Sequence, residues 1–171
     1  AVSVTASVQQ SVTCAGGSDA IAVAQSASGG TPDYSYVWSD ALGQTGQTAN
    51  GLTVGIYTVV ATDSNFCTGS STVTITEPTA MTVVASIDDA SCNGLSDGQI
   101  NIVSSNKVIA NYSWSAGLGN PLLGLSAGTY ELTATDVDGC QDSFSYSVTE
   151  PDALLSDIAL QSSISCNGSA D

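Results

Sequence analysis

The chain contains an internal repeat, and the length of its period limits the folds that the chain can adopt. Cys14 and Cys92 open two similar segments and lie 78 residues apart, while Cys67 and Cys140 lie 73 residues apart near the ends of those segments. Cys166 opens a third copy with a similar spacing to an aspartate. Such spacing indicates one structural unit copied in tandem. We therefore predict repeat 1 at residues 1–78, repeat 2 at residues 79–151, and the first strand of a third, truncated repeat at residues 152–171.

Within each repeat the hydrophobic pattern has the period of a β-strand. Val2, Val4, Ala6 and Val8 alternate with serine and threonine, and an alternation of this kind is typical of half-buried strands. Runs rich in β-branched and aromatic residues continue the pattern, and no segment has the period of a helix. These runs cover residues 34–38, 57–62 and 72–76.

Six or seven short strands in about 75 residues predict a small immunoglobulin-like β-sandwich for each repeat. The fold class is therefore all-β, as tandem sandwiches joined by short Glu-Pro linkers at Glu77-Pro78 and Glu150-Pro151. Proline ends a strand ladder, because it lacks the backbone N–H that the ladder needs. Trp38 and Trp114 stand where the middle strand of such a sandwich carries its core aromatic residue.

The charged residues of the chain exclude several classes of function. The 171 residues contain 16 acidic residues, one Lys or Arg and no His, which gives a formal net charge of −15. With a single basic residue the chain cannot neutralise a phosphate backbone, so we predict no nucleic-acid partner. No apolar run reaches the roughly 18 residues that span a bilayer, so we predict no membrane insertion. Because a histidine base and an arginine clamp are both missing, we also predict that the protein is not an enzyme.

Five cysteines in a small acidic β-rich chain indicate an oxidising compartment. We call Cys14 and Cys92 the first cysteines of their repeats, and Cys67 and Cys140 the second cysteines. A small domain gains stability from an internal crosslink, so the preferred pairing is Cys14–Cys67 and Cys92–Cys140, with Cys166 unpaired in this chain. The alternative pairing, Cys67–Cys92 with Cys140–Cys166, would join consecutive repeats.

Calcium is the one metal ion that the residue pattern suggests. Asp136, Asp138 and Asp142 offer the oxygen ligands that Ca²⁺ prefers. Repeat 1 has fewer charges at the matching positions, where Asp63 is followed by Ser and Asn. The same aspartates can instead act as turn formers. Apart from this calcium site we predict no cofactor.

The chain contains five motifs: Cys-Asn-Gly-x-x-Asp-Gly at residues 92–98, Gly-Gly-Thr-Pro-x-Tyr-x-Tyr-x-Trp-Ser at residues 29–39, Leu-x-x-Gly-x-Tyr at residues 52–57, Asp-x-x-Gly-Cys at residues 136–140, and the closing Glu-Pro. Together they resemble the SprB-type repeat of cell-surface and gliding-motility adhesins of Bacteroidota. The resemblance extends over the whole chain, although its Gly-x-Tyr strand also occurs in PKD and other immunoglobulin-like domains. It implies a very large extracellular surface protein that carries many such repeats and is exported by the type IX secretion system.

Two functional hypotheses of different class follow. The first is a structural repeat of a long extracellular filament or adhesin, which gives reach and stiffness for surface attachment and gliding motility. The second is a module on each repeat that binds a carbohydrate or another external surface through Tyr34, Tyr36, Tyr112 or Trp114. The expected partners are neighbouring repeats of the same chain or other copies that assemble into a fibre. If separate copies assemble into a fibre, residues 152–171 would add a strand to a neighbouring molecule.

Overall fold

The computed structural model describes residues 1–155, and within this range the protein consists of strands, turns and loops without a helix. Among residues 1–155, thirteen strands form four antiparallel sheets. The strands are β1 (Ala6–Gln10), β2 (Ala20–Ala24), β3 (Ser35–Trp38), β4 (Thr48–Leu52), β5 (Gly55–Thr62), β6 (Thr68–Ile75), β7 (Val83–Asp88), β8 (Gly98–Ser105), β9 (Ile109–Trp114), β10 (Gly117–Leu118), β11 (Leu122–Leu125), β12 (Gly128–Asp136) and β13 (Gln141–Val148).

Repeat 1 is a sandwich of two three-stranded sheets, with strand orders β1-β2-β4 and β3-β5-β6. The β2 sequence Ala-Ile-Ala-Val-Ala buries its alanines and leaves Ile21 and Val23 partly exposed, as a period of two requires. Alternate residues of β5 and β6 complete the core, where Val59, Ala61 and Ile75 are fully buried. The long β5–β6 ladder pairs Gly55 with Ile75 at one end and Thr62 with Thr68 at the other.

Repeat 2 has the same architecture with one additional short strand. Its sheets have the orders β11-β8-β7 and β10-β9-β12-β13, and β10 is the addition. A second hydrophobic cluster fills the space between these sheets, and Ile100 and Leu132 are fully buried within it. The two clusters share no residue.

The immunoglobulin-like sandwich has seven strand positions, with the first, second, fourth and fifth strands in one sheet and the third, sixth and seventh in the other. In repeat 1 the sheet of β1, β2 and β4 corresponds to the first, second and fifth positions, and the sheet of β3, β5 and β6 to the third, sixth and seventh. Repeat 2 has the same arrangement, with β7, β8 and β11 facing β9, β12 and β13. Trp38 and Trp114 lie at the ends of β3 and β9, and both are buried. Each indole N–H donates to a backbone carbonyl, at 3.1 Å for Trp38 and 3.0 Å for Trp114. The prediction that these two residues form the core aromatics is confirmed.

Each repeat contains a tyrosine corner, near the start of β5 in repeat 1 and of β12 in repeat 2. The hydroxyl of Tyr57 donates to the carbonyl of Thr53 at 3.2 Å, and that of Tyr130 donates to the carbonyl of Ser126 at 2.8 Å. This local bond to the preceding backbone is characteristic of immunoglobulin-like domains. The predicted all-β fold class is thus confirmed.

The predicted repeat boundaries and the predicted third repeat are not settled by the fold. Glu77-Pro78 follows the end of β6, and Glu150-Pro151 follows the end of β13. The boundaries at 78 and 151 themselves stay predictions. Most of the predicted first strand of a third repeat lies outside the described residues. Cys166 lies outside them as well.

Candidate functional site at the repeat junction

The disulfide bond of the structure joins the two repeats, and this corrects both predicted pairings. Cys14 is bonded to Cys140, with a sequence separation of 126 residues and a Cα–Cα distance of 5.5 Å. The predicted pairs Cys14–Cys67 and Cys92–Cys140 are wrong, and so is the alternative that pairs Cys140 with Cys166. Among the described residues Cys67 and Cys92 are exposed free thiols, so the alternative Cys67–Cys92 bond is absent as well.

The length of a strand explains why the first and second cysteines of one repeat do not meet. Cys67 immediately precedes β6, whereas the loop of Cys14 contacts Glu77, just beyond the other end of that strand. Eight residues of extended chain span roughly 26 Å, and a disulfide needs Cα atoms within about 7 Å. The same separation applies in repeat 2, where Cys140 precedes β13 and the loop of Cys92 contacts Glu150.

The loop of each first cysteine is closed by an aspartate. The backbone N–H of Thr13 donates to Asp19 at 2.9 Å, and that of Ser91 donates to Asp97 at the same distance. The hydroxyl groups of Thr13 and Ser91 also donate to these carboxylates. Their hydrogen bonds lower the pKa of Asp19 and of Asp97 below the ordinary value of 3.8. Both first cysteines therefore sit in loops of one design.

The glutamate of the Glu-Pro pair provides a second tie to the same loop. A carboxylate oxygen of Glu77 accepts a hydrogen bond from the backbone N–H of Gly16, and Glu150 accepts from Gly94 at 2.7 Å. Sequence analysis treated this glutamate only as part of a linker. Its recurrence together with a glycine two residues after the cysteine was the signal that could have revealed the contact.

A buried aspartate positions each second cysteine. Asp136 Oδ1 accepts from the backbone N–H of Cys140 at 2.8 Å, and Asp63 Oδ1 accepts from that of Cys67 at the same distance. Both aspartates are about 5% exposed. Asp63 also accepts from the backbone N–H of Thr31 at 2.9 Å, and this bond is the main reason why the pKa of Asp63 is lowered. The two second cysteines thus also sit in turns of one design.

The arrangement at this turn does not support the predicted calcium site. Asp136 Oδ1 is already bonded to the backbone N–H groups of Asp138 and Cys140, at 3.0 and 2.8 Å. In residues 1–155 no group of three or more Cys, Asp or Glu side chains is placed to hold a metal ion. Asp136, Asp138 and Asp142 line one small cavity together with Lys107.

The disulfide lies against this cavity, which has a volume of about 50 Å³ between the two repeats. One wall comes from the end of repeat 1 and from the chain that leaves it. The opposite wall comes from the turns of repeat 2 around Cys140. Met81, in the connecting segment, is 8% exposed and contributes an apolar surface. The cavity is lined by Thr13, Cys14, Ala15, Pro78, Thr79 and Met81 on one side, and by Lys107, Asp136, Asp138, Cys140, Gln141 and Asp142 on the other.

The aromatic residues proposed as a carbohydrate-binding surface are mostly used in packing. Trp114 is buried, and Tyr34, Tyr36 and Tyr112 are partly buried against the two cores. The hydroxyl of Tyr36 accepts from the backbone N–H of Ala27 at 2.8 Å.

A shallow depression lies beside Tyr112 and is lined in part by Asn111 and Asn120. The amide of Asn120 is bonded to both backbone groups of Ile102, at 2.7 and 3.2 Å, so it is not free to bind a ligand. Of the four aromatic candidates only Tyr112 lines this depression, and among the described residues the four do not share one exposed face.

These features define a class of protein: a tandem array of immunoglobulin-like sandwiches with a disulfide between consecutive repeats. Residues 6–43 match the family model of the SprB repeat, which confirms the resemblance to this cell-surface repeat family over that segment. No curated protein matches the chain. The crystal structure of murine CEACAM1b aligns with a TM-score of 0.31 at 12% identity, over 88% of this chain and 100% of that chain. Residues 1–155 contain no helix of the length and hydrophobicity that crossing a membrane requires.

Proposed function

We propose that the chain is a structural segment of a long extracellular filament or adhesin, in which it supplies reach and stiffness for attachment to a surface. The observation that carries this proposal is the Cys14–Cys140 bond between consecutive repeats. A spacer has to transmit force without lengthening, and a covalent bond across the junction serves that purpose. In a motile cell the same property would suit a filament that is pulled along a substratum, which is our proposal for gliding.

The position of the bond supports a mechanical role. A pulling force that enters before Cys14 and leaves after Cys140 passes through the disulfide, so the 126-residue segment that it closes carries no load. Fully extended, a segment of that length would add roughly 400 Å. Strands β2 to β12 lie inside the closed segment, while β1 and β13 lie outside it. Both cores are therefore largely protected from forced unfolding.

A spacer also agrees better with the aromatic residues than a binding module does. Carbohydrate sites use exposed aromatic faces together with free polar groups, whereas Trp114 is 5% exposed and Tyr36 is bonded to the backbone. An acidic surface that is low in basic residues suits a filament, because like charges keep neighbouring fibres apart.

Single-molecule stretching between the two ends of the full chain tests the proposal. We expect the oxidised chain to extend only by the residues outside the Cys14–Cys140 segment. The Cys140→Ser variant should lengthen by roughly 400 Å more as its sandwiches unfold. The Cys67→Ser variant is the matched control, because it removes an exposed free thiol and leaves the junction bond intact.

Equal extension of the oxidised protein and Cys140→Ser would reject the mechanical role. The extracellular location of the protein is tested separately, by antibody labelling of intact cells that produce it. Labelling that appears only after the cells are broken open would reject an extracellular filament.

A further inference from the structure

The Cys14–Cys140 bond joins a first cysteine to the second cysteine of the repeat that follows. Cys92 is the first cysteine of repeat 2, and Cys67 is the second cysteine of repeat 1. Both are exposed, and both have free thiols among the described residues. They therefore occupy the two positions that form the existing bond, but each lies on an end of the repeat pair that no described neighbour covers.

The surface around Cys92 corresponds residue by residue to the surface that repeat 2 covers around Cys14. An open groove of about 460 Å³ lies beside Cys92. Six of its seven lining residues have a counterpart that lines the cavity at the Cys14–Cys140 junction, at the 78- or 73-residue step of the repeat. The pairs are Thr13 and Ser91, Cys14 and Cys92, Ala15 and Asn93, Pro78 and Pro151, Thr79 and Asp152, and Met81 and Leu154.

Apolar exposure indicates that each end of the repeat pair is an uncovered junction surface. Leu154 is fully exposed, at 101%, whereas its counterpart Met81 is 8% exposed. At the other end Phe66, directly before Cys67, is 86% exposed. Phe66 has a φ of 62°, in the left-handed region where repeat 2 carries Gly139. A bulky aromatic residue is uncommon at such a position.

The summed charge of the two surfaces equals that of the existing junction. That junction contains Lys107 and three aspartates, a sum of −2. In repeat 1 the lysine is replaced by a glycine, and two of the aspartates by Asn65 and Gly69, which leaves Asp63. Across a new junction Asp63 and Asp152 would again sum to −2. The change on one surface thus compensates for the change on the other.

We propose that Cys92 bonds to the second cysteine of a following repeat of this kind, and that Cys67 bonds to the first cysteine of a preceding one. Successive repeats are then joined by a continuous series of overlapping disulfides, each equivalent to Cys14–Cys140. This proposal rests on the proposed function, because it requires that the repeats stand in a longer array. The partner of Cys92 is a repeat with the surface that repeat 1 has around Cys67, and the partner of Cys67 is a repeat with the surface that repeat 2 has around Cys92.

The bond forms by oxidation of two thiols. A Cys92 thiolate attacks a small-molecule disulfide such as glutathione disulfide and releases one glutathione thiolate, which leaves a mixed disulfide on Cys92. The thiolate of the partner's second cysteine then attacks the Cys92 sulfur and releases the second glutathione. Two electrons and two protons pass from the two cysteines to glutathione disulfide, which becomes two molecules of glutathione.

A tandem fusion of two copies provides the test. Asp152 of the first copy is joined to Ala1 of the second, because Ala153-Leu154 occupies the position of Ala1-Val2 at the start of a repeat. The fusion has four repeats and eight cysteines, without Cys166. After oxidation in glutathione buffer we expect three disulfides: Cys14–Cys140 within each copy, and Cys92 of the first copy bonded to Cys67 of the second. Two thiols should remain free.

Mass spectrometry of the unreduced protein identifies these bonds. Digestion at Asp and Glu is needed, because the chain has one Lys and no Arg. The proposal is overturned if Cys92 of the first copy stays a free thiol. It is equally overturned if Cys92 bonds to Cys67 or Cys140 of its own copy.

Two matched variants test whether Cys67 of the second copy is the partner of Cys92 of the first. Cys67→Ser in the second copy should raise the number of free thiols from two to three. Cys67→Ser in the first copy should lower it from two to one, because its partner is not in the fusion. Equal effects of the two variants would reject the assignment. The stretching experiment depends only on the Cys14–Cys140 bond, so failure of the proposed function and failure of this inference remain distinguishable.

Discussion

Glu150 accepts a hydrogen bond of 2.7 Å from the backbone N–H of Gly94, which ties the end of repeat 2 to the loop that carries Cys92. The other carboxylate oxygen accepts from the side-chain amide of Asn93 at 3.0 Å. The bond from Glu77 to the loop of Cys14 is the equivalent contact in repeat 1. The glutamate of each Glu-Pro pair therefore holds the cysteine loop through which one repeat meets the next.

Replacing Glu150 by alanine should destabilise repeat 2 by about 1 kcal/mol, because it removes a charge-assisted hydrogen bond at an exposed site. Equilibrium unfolding in urea measures the change. Glu131→Ala is the control, since it removes the same charge from an exposed position of β12. If both variants lose equal stability, the contact to Gly94 contributes nothing.

Gly98 should tolerate no side chain. A Cβ at Gly98 would lie 2.8 Å from Val148 Cγ1 and 2.9 Å from the carbonyl of Leu125. We expect Gly98→Ala to lose about 1–3 kcal/mol through overpacking. Gly128→Ala is the matched control at the start of β12 in the facing sheet, where a Cβ meets no atom closer than 4.0 Å. This control should be neutral or slightly stabilising. Thermal unfolding of both variants distinguishes the two positions.

Acid should destabilise the protein through the hydrogen-bonded aspartates. The pKa values of Asp19, Asp63 and Asp97 are lowered in the folded state, chiefly by hydrogen bonds. A lowered folded pKa means that the unfolded chain binds more protons near pH 4, so stability falls as the pH drops. The contribution is fully present above the ordinary value of 3.8 and is lost as pH falls through the lowered values.

Melting temperatures between pH 6 and pH 2 measure this loss. In a plot of melting temperature against pH, we call the fall at low pH the acid limb. Asp63→Asn should make this fall smaller, because one of the three carboxylates no longer titrates. Asp33→Asn, which removes the same charge from an exposed position, is the matched control. An acid limb that is the same in Asp63→Asn and in the unmodified protein would contradict the role assigned to Asp63.

Calcium should not stabilise the described part of the chain. An ion bound only by the folded state would add about 2.7 kcal/mol at a concentration one hundred times its dissociation constant. Because Asp136 already binds two backbone N–H groups, we expect the melting temperature to be the same in EDTA and in millimolar Ca²⁺. A calcium-dependent rise that Asp138→Asn abolishes would restore the site at this turn.

Much of the fold was predictable because it depends on short-range patterns. Alternating residues identified the strands around Trp38 and Tyr57, and the repeat assigned the same structure to Trp114 and Tyr130. The tyrosine corner was missed, although it is a local contact between residues four apart. Here the sequence contained the signal, and only its meaning had to be assigned.

The partners of the cysteines were not predictable in the same way. Sequence by itself determined the repeat, the strands and the core tryptophans. Only the tertiary structure decided that Cys14 meets Cys140. The physical reason is that the two cysteines of one repeat lie toward opposite ends of a strand roughly 26 Å long, while the chain path brings the next repeat against the Cys14 loop.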